Sequence, residues 1–308
     1  MNDDVRILEA GQIETPPGEI RFLFLPGRDL FARRAARLRF LSGGHSLGDY
    51  LAFLASLADA QQEALDQFPA MPLPDPDEQA LWREHGKPLL ECRSWPRNPA
   101  WRSGLKKILR RTAGSVLPPE TRETITDLTE ANEIRVEMMA DSILAGALAD
   151  ISPQALPFVA AALQVYWVHM ASSLGEDAFG RLQQGGVCPV CGSYPTVGVV
   201  SVAGARQGLR YLSCSLCASH WHVVRVKCSN CDSTHGIDYY TLEGSNDAIK
   251  AESCNQCNVY LKLLYLGKDP QMEAMADDLA TLALDILMDK EGKARRGPNL
   301  FFHPGRSH

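Results

Sequence analysis

The sequence lacks a charge excess, a membrane-length apolar run and any recognisable catalytic motif. Its formal charge is -6 over 308 residues and its pI is near 5.8. Such a balance excludes a general electrostatic pull toward nucleic acid or anionic membranes. The most apolar stretch, ALPFVAAALQVYWVHMA at 155–171, is shorter than the roughly 20 residues of a membrane span and is interrupted by Gln164 and His169. It is expected to be a core helix. The opening residues, MNDDVRILEAGQIE, are acidic and carry neither the basic nor the apolar region of a secretory signal, so a cytoplasmic chain is expected. No Ser-His-Asp set, glycine-rich phosphate loop or His-Glu-x-x-His pattern is visible, which argues against an independent enzyme.

Cysteine, by contrast, is plentiful and ordered. Eight of the nine cysteines fall between 188 and 257, in four Cys-x-x-Cys pairs. Cys188 to Cys228, Cys191 to Cys231, Cys214 to Cys254 and Cys217 to Cys257 are each 40 positions apart, so one unit is written twice. In a reducing compartment this spacing points to metal binding rather than disulfides. Two Cys-x-x-Cys turns can supply four thiolates to one tetrahedral ion, as in zinc ribbons and rubredoxin. Sequential pairing puts Cys188, Cys191, Cys214 and Cys217 in one site and Cys228, Cys231, Cys254 and Cys257 in the next. The competing arrangement joins the two inner pairs and leaves the outer ones to find each other. A repeated unit should fold as a unit, which favours the first.

Thioredoxin-like redox pairs and buried structural cysteines are the plainer alternatives, and neither needs four pairs in a 40-residue register. Four cysteines already complete a tetrahedron, so His220 and His222 are expected at the surface or a hinge. Cys92 is left to pack as a small hydrophobe. Four thiolates accept zinc or iron alike. A glycine after the second cysteine lets the backbone turn with positive φ and aim an N–H at sulfur, and only CPVCG has one, which weakens a strict rubredoxin reading without excluding iron. Asp232 and Asn258 tolerate the conformation that Gly192 adopts freely, and Ala218 does so at a cost.

The fold class expected is α+β. Residues 1–183 read as a helical domain, with periodic segments at 28–40 and 46–68, Ser46 as an N-cap, a proline-rich crossing at 68–79, and Ser152-Pro153 opening the apolar helix. Residues 184–226 and 227–268 read as two tandem metal ribbons of short strands, and 269–308 as a C-terminal helix and tail. That helix carries Met272, Met275, Leu279, Leu282 and Ile286 on one stripe and ends near Gly292. The segment CRSWPRNPAWRSGLKKILRR, 92–111, has seven basic residues and no acid. It reads either as a phosphate or acidic-partner patch or as a solvated helix face with Trp95 and Trp101 in the core.

CPVCGSYPTVG, LSCSLCASHWHVVRVKC, CNQCNVYLK, and DDLATLALDILM followed by EGKARRGPNLF together resemble the formate dehydrogenase accessory protein family, FdhE. RLRFLSGGHSLGDYLAFLASLADAQQ fits the same pattern more loosely. The resemblance implies a non-catalytic cytoplasmic assembly factor that contacts the catalytic molybdenum or tungsten subunit of formate dehydrogenase before its twin-arginine export. It also implies two rubredoxin-like sites, one metal ion each, with iron favoured over zinc and all eight paired cysteines as ligands. A redox or sulfur-handling iron protein acting on the client is the second hypothesis, and a nucleic-acid-binding zinc ribbon the third. Residues 187–268 hold seven Lys or Arg against five Asp or Glu, and two divalent ions in four-thiolate sites would make the pair net negative, which disfavours the third. Replacing Cys188, Cys214, Cys228 or Cys254 is expected to lose metal and partner function together and leave the N-terminal helices folded.

Overall fold

The computed structural model describes residues 20–182, 185–201, 208–244 and 247–302, so the acidic opening stretch lies outside the described residues. Helices α1 (Leu30–Ser42) and α2 (Gly48–Asp66) form a hairpin whose turn needs Gly44 at φ +73. Leu47, not Ser46, is the N-cap residue of α2, and no side chain caps the helix; His45 instead shapes the turn before it. Its Nδ1 accepts the Leu47 N–H at 3.0 Å, and its carbonyl accepts that of Gly48. Helix α3 (Pro76–Glu84) begins inside the proline-rich crossing expected at 68–79, because Asp75 caps it and Pro76 fits its first turn. Then come α4 (Ala100–Ala113), α5 (Pro119–Glu130) and α6 (Glu133–Ala145), the last capped by Asn132 and ended by Gly146 at φ +81.

Helix α7 (Leu156–Leu174) is the apolar segment, and it starts three residues later than expected. The Ser152 carbonyl accepts from Ala155 and Leu156 in a preceding turn, and Pro157 occupies the first helical turn. All but four of its nineteen residues are buried. A helix apolar on every side belongs at the centre, and α2, α4 and α6 surround it. Its buried polar side chains are paired: Tyr166 Oη accepts from Trp95 Nε1 at 3.0 Å, and Trp167 Nε1 donates to the Leu90 carbonyl.

The basic segment is partly absorbed by this body. Trp101 is fully buried with Nε1 on Glu137, and Arg97 and Arg102 pair with the same carboxylate at 2.7 and 2.8 Å. Those contacts fasten α4 to α6.

The strands form one eight-stranded sheet. The first cysteine repeat supplies β2 (Pro195–Val200), β3 (Arg210–Cys214) and β4 (His220–Val223). The second supplies β5 (Ile237–Tyr240), β6 (Ile249–Cys254) and β7 (Val259–Tyr265). Within each repeat neighbours are antiparallel, whereas β2 and β7 pair in parallel and fuse the two repeats into one surface. A two-residue β1 (Leu23–Phe24) extends the edge beside β4, and β8 (Ala294–Arg295) lies beside β7. Arg210 on β3 reaches across to Glu252 on β6 at 2.8 Å, both buried. It passes over Gly198, where an added Cβ would lie 2.5 Å from Leu263 Cδ2.

The single C-terminal helix expected from the sequence is two: α8 (Ala274–Leu279) and α9 (Leu282–Lys290). The break has a physical cause. Lys262 on β7 is 1% exposed, and its Nζ donates to the carbonyls of Asp278 and Thr281 at 2.9 and 3.1 Å, capturing acceptors of the helix. The buried Asp278 carboxylate pairs with Lys262 and Arg295 at 3.2 and 2.6 Å. The apolar stripe therefore does not persist: Asp278 is fully buried, and Ile286 is 59% exposed. Gly292, at φ +67, ends α9 as expected, with its N–H on Asp289 and that of Lys293 on Met288.

Removing one partner of a buried ion pair leaves an uncompensated charge, at a cost of about 3–5 kcal/mol, whereas an exposed pair is worth under about 1 kcal/mol. Lys262→Ala is accordingly expected to lower stability severely, and Arg39→Ala, which frees the exposed Asp59, only slightly; denaturant midpoints of the two variants check this. For Glu137, burial works against the carboxylate, but hydrogen bonds from Arg97, Trp101 and Arg102 outweigh it and hold its pKa below the usual carboxylate range. Its contribution is thus complete above the unfolded carboxylate value and lost as the pH falls through the folded one. Glu137→Gln is expected to flatten that acid-side loss in a pH series of melting temperatures.

Candidate metal centres

Each cysteine pair sits on a tight turn with the same backbone plan. In the first, the Cys188 N–H donates to the Ser193 carbonyl and the Gly192 N–H to the Cys188 carbonyl. The Cys228 turn repeats both bonds with Ser233 and Asp232. The residue after each second cysteine is left-handed: Gly192 at φ +73, Ala218 at +56, Asp232 at +63 and Asn258 at +54. This geometry turns N–H groups toward sulfur, with Leu216 and Cys217 donating to Cys214 Sγ at 3.4 Å and Asn230 to Cys228 Sγ at 3.3 Å. Ala218 takes up the conformation at a cost of about 1–2 kcal/mol.

Adjacent β-strands bring the turns together in sequential pairs. Cys188, Cys191, Cys214 and Cys217 form one cluster and Cys228, Cys231, Cys254 and Cys257 the other, with all sulfurs in each within 4.8 Å of one another. The competing inner pairing is not formed. Cys188–Cys217 and Cys191–Cys214 sulfur distances are 3.5 and 3.4 Å, and Cys228–Cys257 and Cys231–Cys254 are 3.8 and 3.7 Å. None is a disulfide, whose sulfurs lie about 2.05 Å apart. Four thiolates about 2.3 Å from a tetrahedral ion would be about 3.8 Å apart, so both sets fit a four-coordinate metal.

The electrostatics of the bare thiols point the same way. Burial pushes Cys188 and Cys214 well up. Burial opposes ionisation of Cys191 too, yet the S–H groups of Cys188, Cys214 and Cys217 and the Ser193 hydroxyl outweigh it and hold Cys191 well down. In the second cluster burial pushes Cys228 up to about 12. Cys257 is held down at about 7 by donors from Asn230 and Val259 that overcome its partial burial. Without a cation each cluster keeps protons it would surrender to a metal.

The two clusters differ in surroundings. The first is entirely buried and belongs to the central core along with α7. Its turn is hydrogen-bonded to the helical body, Leu90 N–H to the Val190 carbonyl at 3.0 Å and Cys92 N–H to the Cys191 carbonyl at 2.9 Å. Gln164 Nε2 of α7 donates to the Ser215 carbonyl inside the second turn. The expectation that the N-terminal helices would be indifferent to loss of Cys188 or Cys214 is therefore corrected, because this cluster is part of their core. In the second cluster Cys231 is exposed and Cys257 half-buried.

Cys92 is buried as expected, but against the first cluster: Ser193 Oγ donates to its sulfur at 3.4 Å, and burial together with neighbouring Cys191 pushes its thiol up to about 12. His220 and His222 lie on β4, not on a hinge. His220 is partly buried with Nε2 3.3 Å from Ser213 Oγ, and burial pushes it down to about 4. His222 packs edge-on to Tyr211. Neither joins a thiol cluster. The residues between the cysteines were not singled out from the sequence, although they signal which cluster lies inside: Pro-Val and Ser-Leu in the first, Ser-Asn and Asn-Gln in the second.

Family models match nearly the whole chain: "FdhE, N-terminal" over residues 20–183, "FdhE, central domain" over 187–225 and "FdhE, C-terminal domain" over 226–302. A protein named FdhE homolog from Enterobacter sp. (strain 638) is 42% identical over 287 residues, covering 92% of this chain and 91% of that one. The FdhE homolog of Serratia proteamaculans (strain 568) is 43% identical over 286 residues, with the same coverage. The crystal structure of the FdhE protein from Pseudomonas aeruginosa superposes with a TM-score of 0.85 at 40% identity, over 93% of this chain and 100% of that one. On these matches, the chain belongs to the FdhE family.

Proposed function

We propose that each cluster holds one metal ion in a closed four-thiolate site, with Cys188, Cys191, Cys214 and Cys217 as ligands of the first and Cys228, Cys231, Cys254 and Cys257 as ligands of the second. The observation that carries this is the sulfur geometry: two sets of four unbridged thiols at the spacing a tetrahedral ion requires. Each three-stranded module is then a rubredoxin-like or zinc-ribbon unit, and the family resemblance favours iron over zinc. A bound ion would neutralise the thiolates and fix the turns, and iron would add one-electron exchange.

As a member of the FdhE family, the chain has an accessory, non-catalytic role in formate dehydrogenase maturation. The partner we assign is the catalytic subunit of formate dehydrogenase, met in the cytoplasm. Among the described residues no helix is long and apolar enough to cross a membrane, in keeping with that setting. The chain's own residues supply rigidity: Gln164 and the Leu90–Cys92 segment hold the first module against the helices, and the parallel β2–β7 pairing holds the second module to the first.

Anaerobic purification followed by metal analysis and an absorption spectrum tests the ligand assignment, and capture of the catalytic subunit by the same preparation tests the partner. Two metals per chain are expected. Cys228→Ser is expected to lose one and keep the far-ultraviolet helical signal, whereas Cys188→Ser should lose one and lower the stability of the helical body as well. Protein carrying no metal that still supports maturation would overturn the assignment.

A further inference from the structure

The two thiol clusters share a backbone plan but not an environment, and the difference is systematic. Around the first, Pro189, Val190, Ser215 and Leu216 are all buried. Both of its turns are held by the helical body: the Val190 and Cys191 carbonyls by the Leu90 and Cys92 N–H groups, and the Ser215 carbonyl by Gln164 Nε2 at 2.8 Å. Gln164 is itself held by Arg34 Nη1 at 2.8 Å and Gln61 Nε2 at 3.2 Å, all three buried. Opening this cluster means parting α7 from the sheet, a sub-global event.

Around the second, Asn230, Cys231, Asp232, Asn255, Gln256 and Asn258 are exposed. Its Cys254–Cys257 turn is held by the Asn255 N–H on the Gly236 carbonyl at 2.8 Å and the Ala294 N–H on the Asn258 carbonyl at 2.7 Å, and the rest of the support comes from side-chain contacts at the surface: Lys293 Nζ to Asn255 and Asn258 Oδ1 at 2.7 and 3.1 Å, Asn255 Nδ2 to Asp238 at 2.6 Å, and Lys227 to Asp232 at 3.0 Å. Exposed contacts of this kind are worth little individually. Cys231 Sγ can therefore swing from its position without disturbing any core residue, while Cys228 and Cys254 keep the rest of the set in place beneath it.

We infer that the second cluster is an exchange site, through which a soft divalent metal passes between this chain and an external thiol or chelator by way of the Cys231–Cys257 edge, while the first cluster keeps its metal. This rests on the proposal that both clusters bind metal. Exchange needs no oxidant. An incoming thiol forms its sulfur–metal bond as the Cys231 bond breaks, and its proton passes to Cys231 Sγ. Charge and electrons balance, and Cys257, the second accessible sulfur, is displaced next in the same way.

The test uses the full-length chain loaded anaerobically with two equivalents of Co(II) or Zn(II), and then challenged with excess chromogenic chelator. Release is expected in two phases of equal amplitude. The fast one should exceed the slow one by about tenfold or more, because it requires only local opening. Cys231→Ser, which removes a ligand of the second cluster, is expected to abolish or accelerate the fast phase and leave the slow one unchanged. On metal-free protein, iodoacetamide followed by peptide mapping should label Cys231 and Cys257 well before Cys188, Cys191, Cys214 or Cys217. Release of both metals in one phase, a slow phase that responds to Cys231→Ser, or uniform labelling would overturn the inference. Failure to load two metals at the outset removes the ligand assignment itself, a different result from two metals leaving together.

Discussion

Everything in the sheet follows from the need to keep eight sulfurs unbridged yet in contact. Packed at 3.4–3.8 Å, they are too close for four thiolates to coexist without a cation and too far for disulfide bonding. Each set draws on two turns at the ends of short antiparallel strands, because neighbouring strands are what bring sequence-distant turns within reach. The strands are short for the same reason: their register has only to bring Pro195 opposite Cys214 and Ile237 opposite Cys254. The modules then join through β2 and β7, and the sheet acquires a face large enough to carry helices.

Much of this was legible from residue order. The 40-residue repeat predicted the pairing of cysteines, whereas the lack of glycine at Ala218, Asp232 and Asn258, which counted against a strict rubredoxin turn, did not prevent all three from joining Gly192 in the left-handed region. The apolar run at 155–171 predicted a core helix, and Gly292 the end of α9. Family membership places the chain in formate dehydrogenase maturation, which no motif alone would have supplied.

What escaped was set by contacts distant in sequence. The C-terminal helix breaks because Lys262, sixteen residues before Asp278, takes its carbonyl, and no periodicity within 271–291 records that. Helix α2 starts after Leu47 with no side-chain cap, because the His45 ring and carbonyl hold the preceding turn, whereas residue preferences point to Ser46 as its cap. The inside position of the first module depends on Leu90 and Cys92, a hundred residues earlier, offering backbone N–H groups to its turn. The fate of the basic segment was likewise decided by Glu137, which gathers Arg97, Trp101 and Arg102 around one carboxylate.

The last described turn carries a consequence for how the chain is made. Leu300 and Phe301 are buried in the central core, the Tyr50 hydroxyl of α2 donates to the Phe301 carbonyl, and Asn299 Nδ2 bonds Asp278. Translation delivers these residues some 250 positions after their partner on α2. The earliest helices must consequently wait, with an apolar flank uncovered, until a segment made some 250 residues later has left the ribosome and folded back on them.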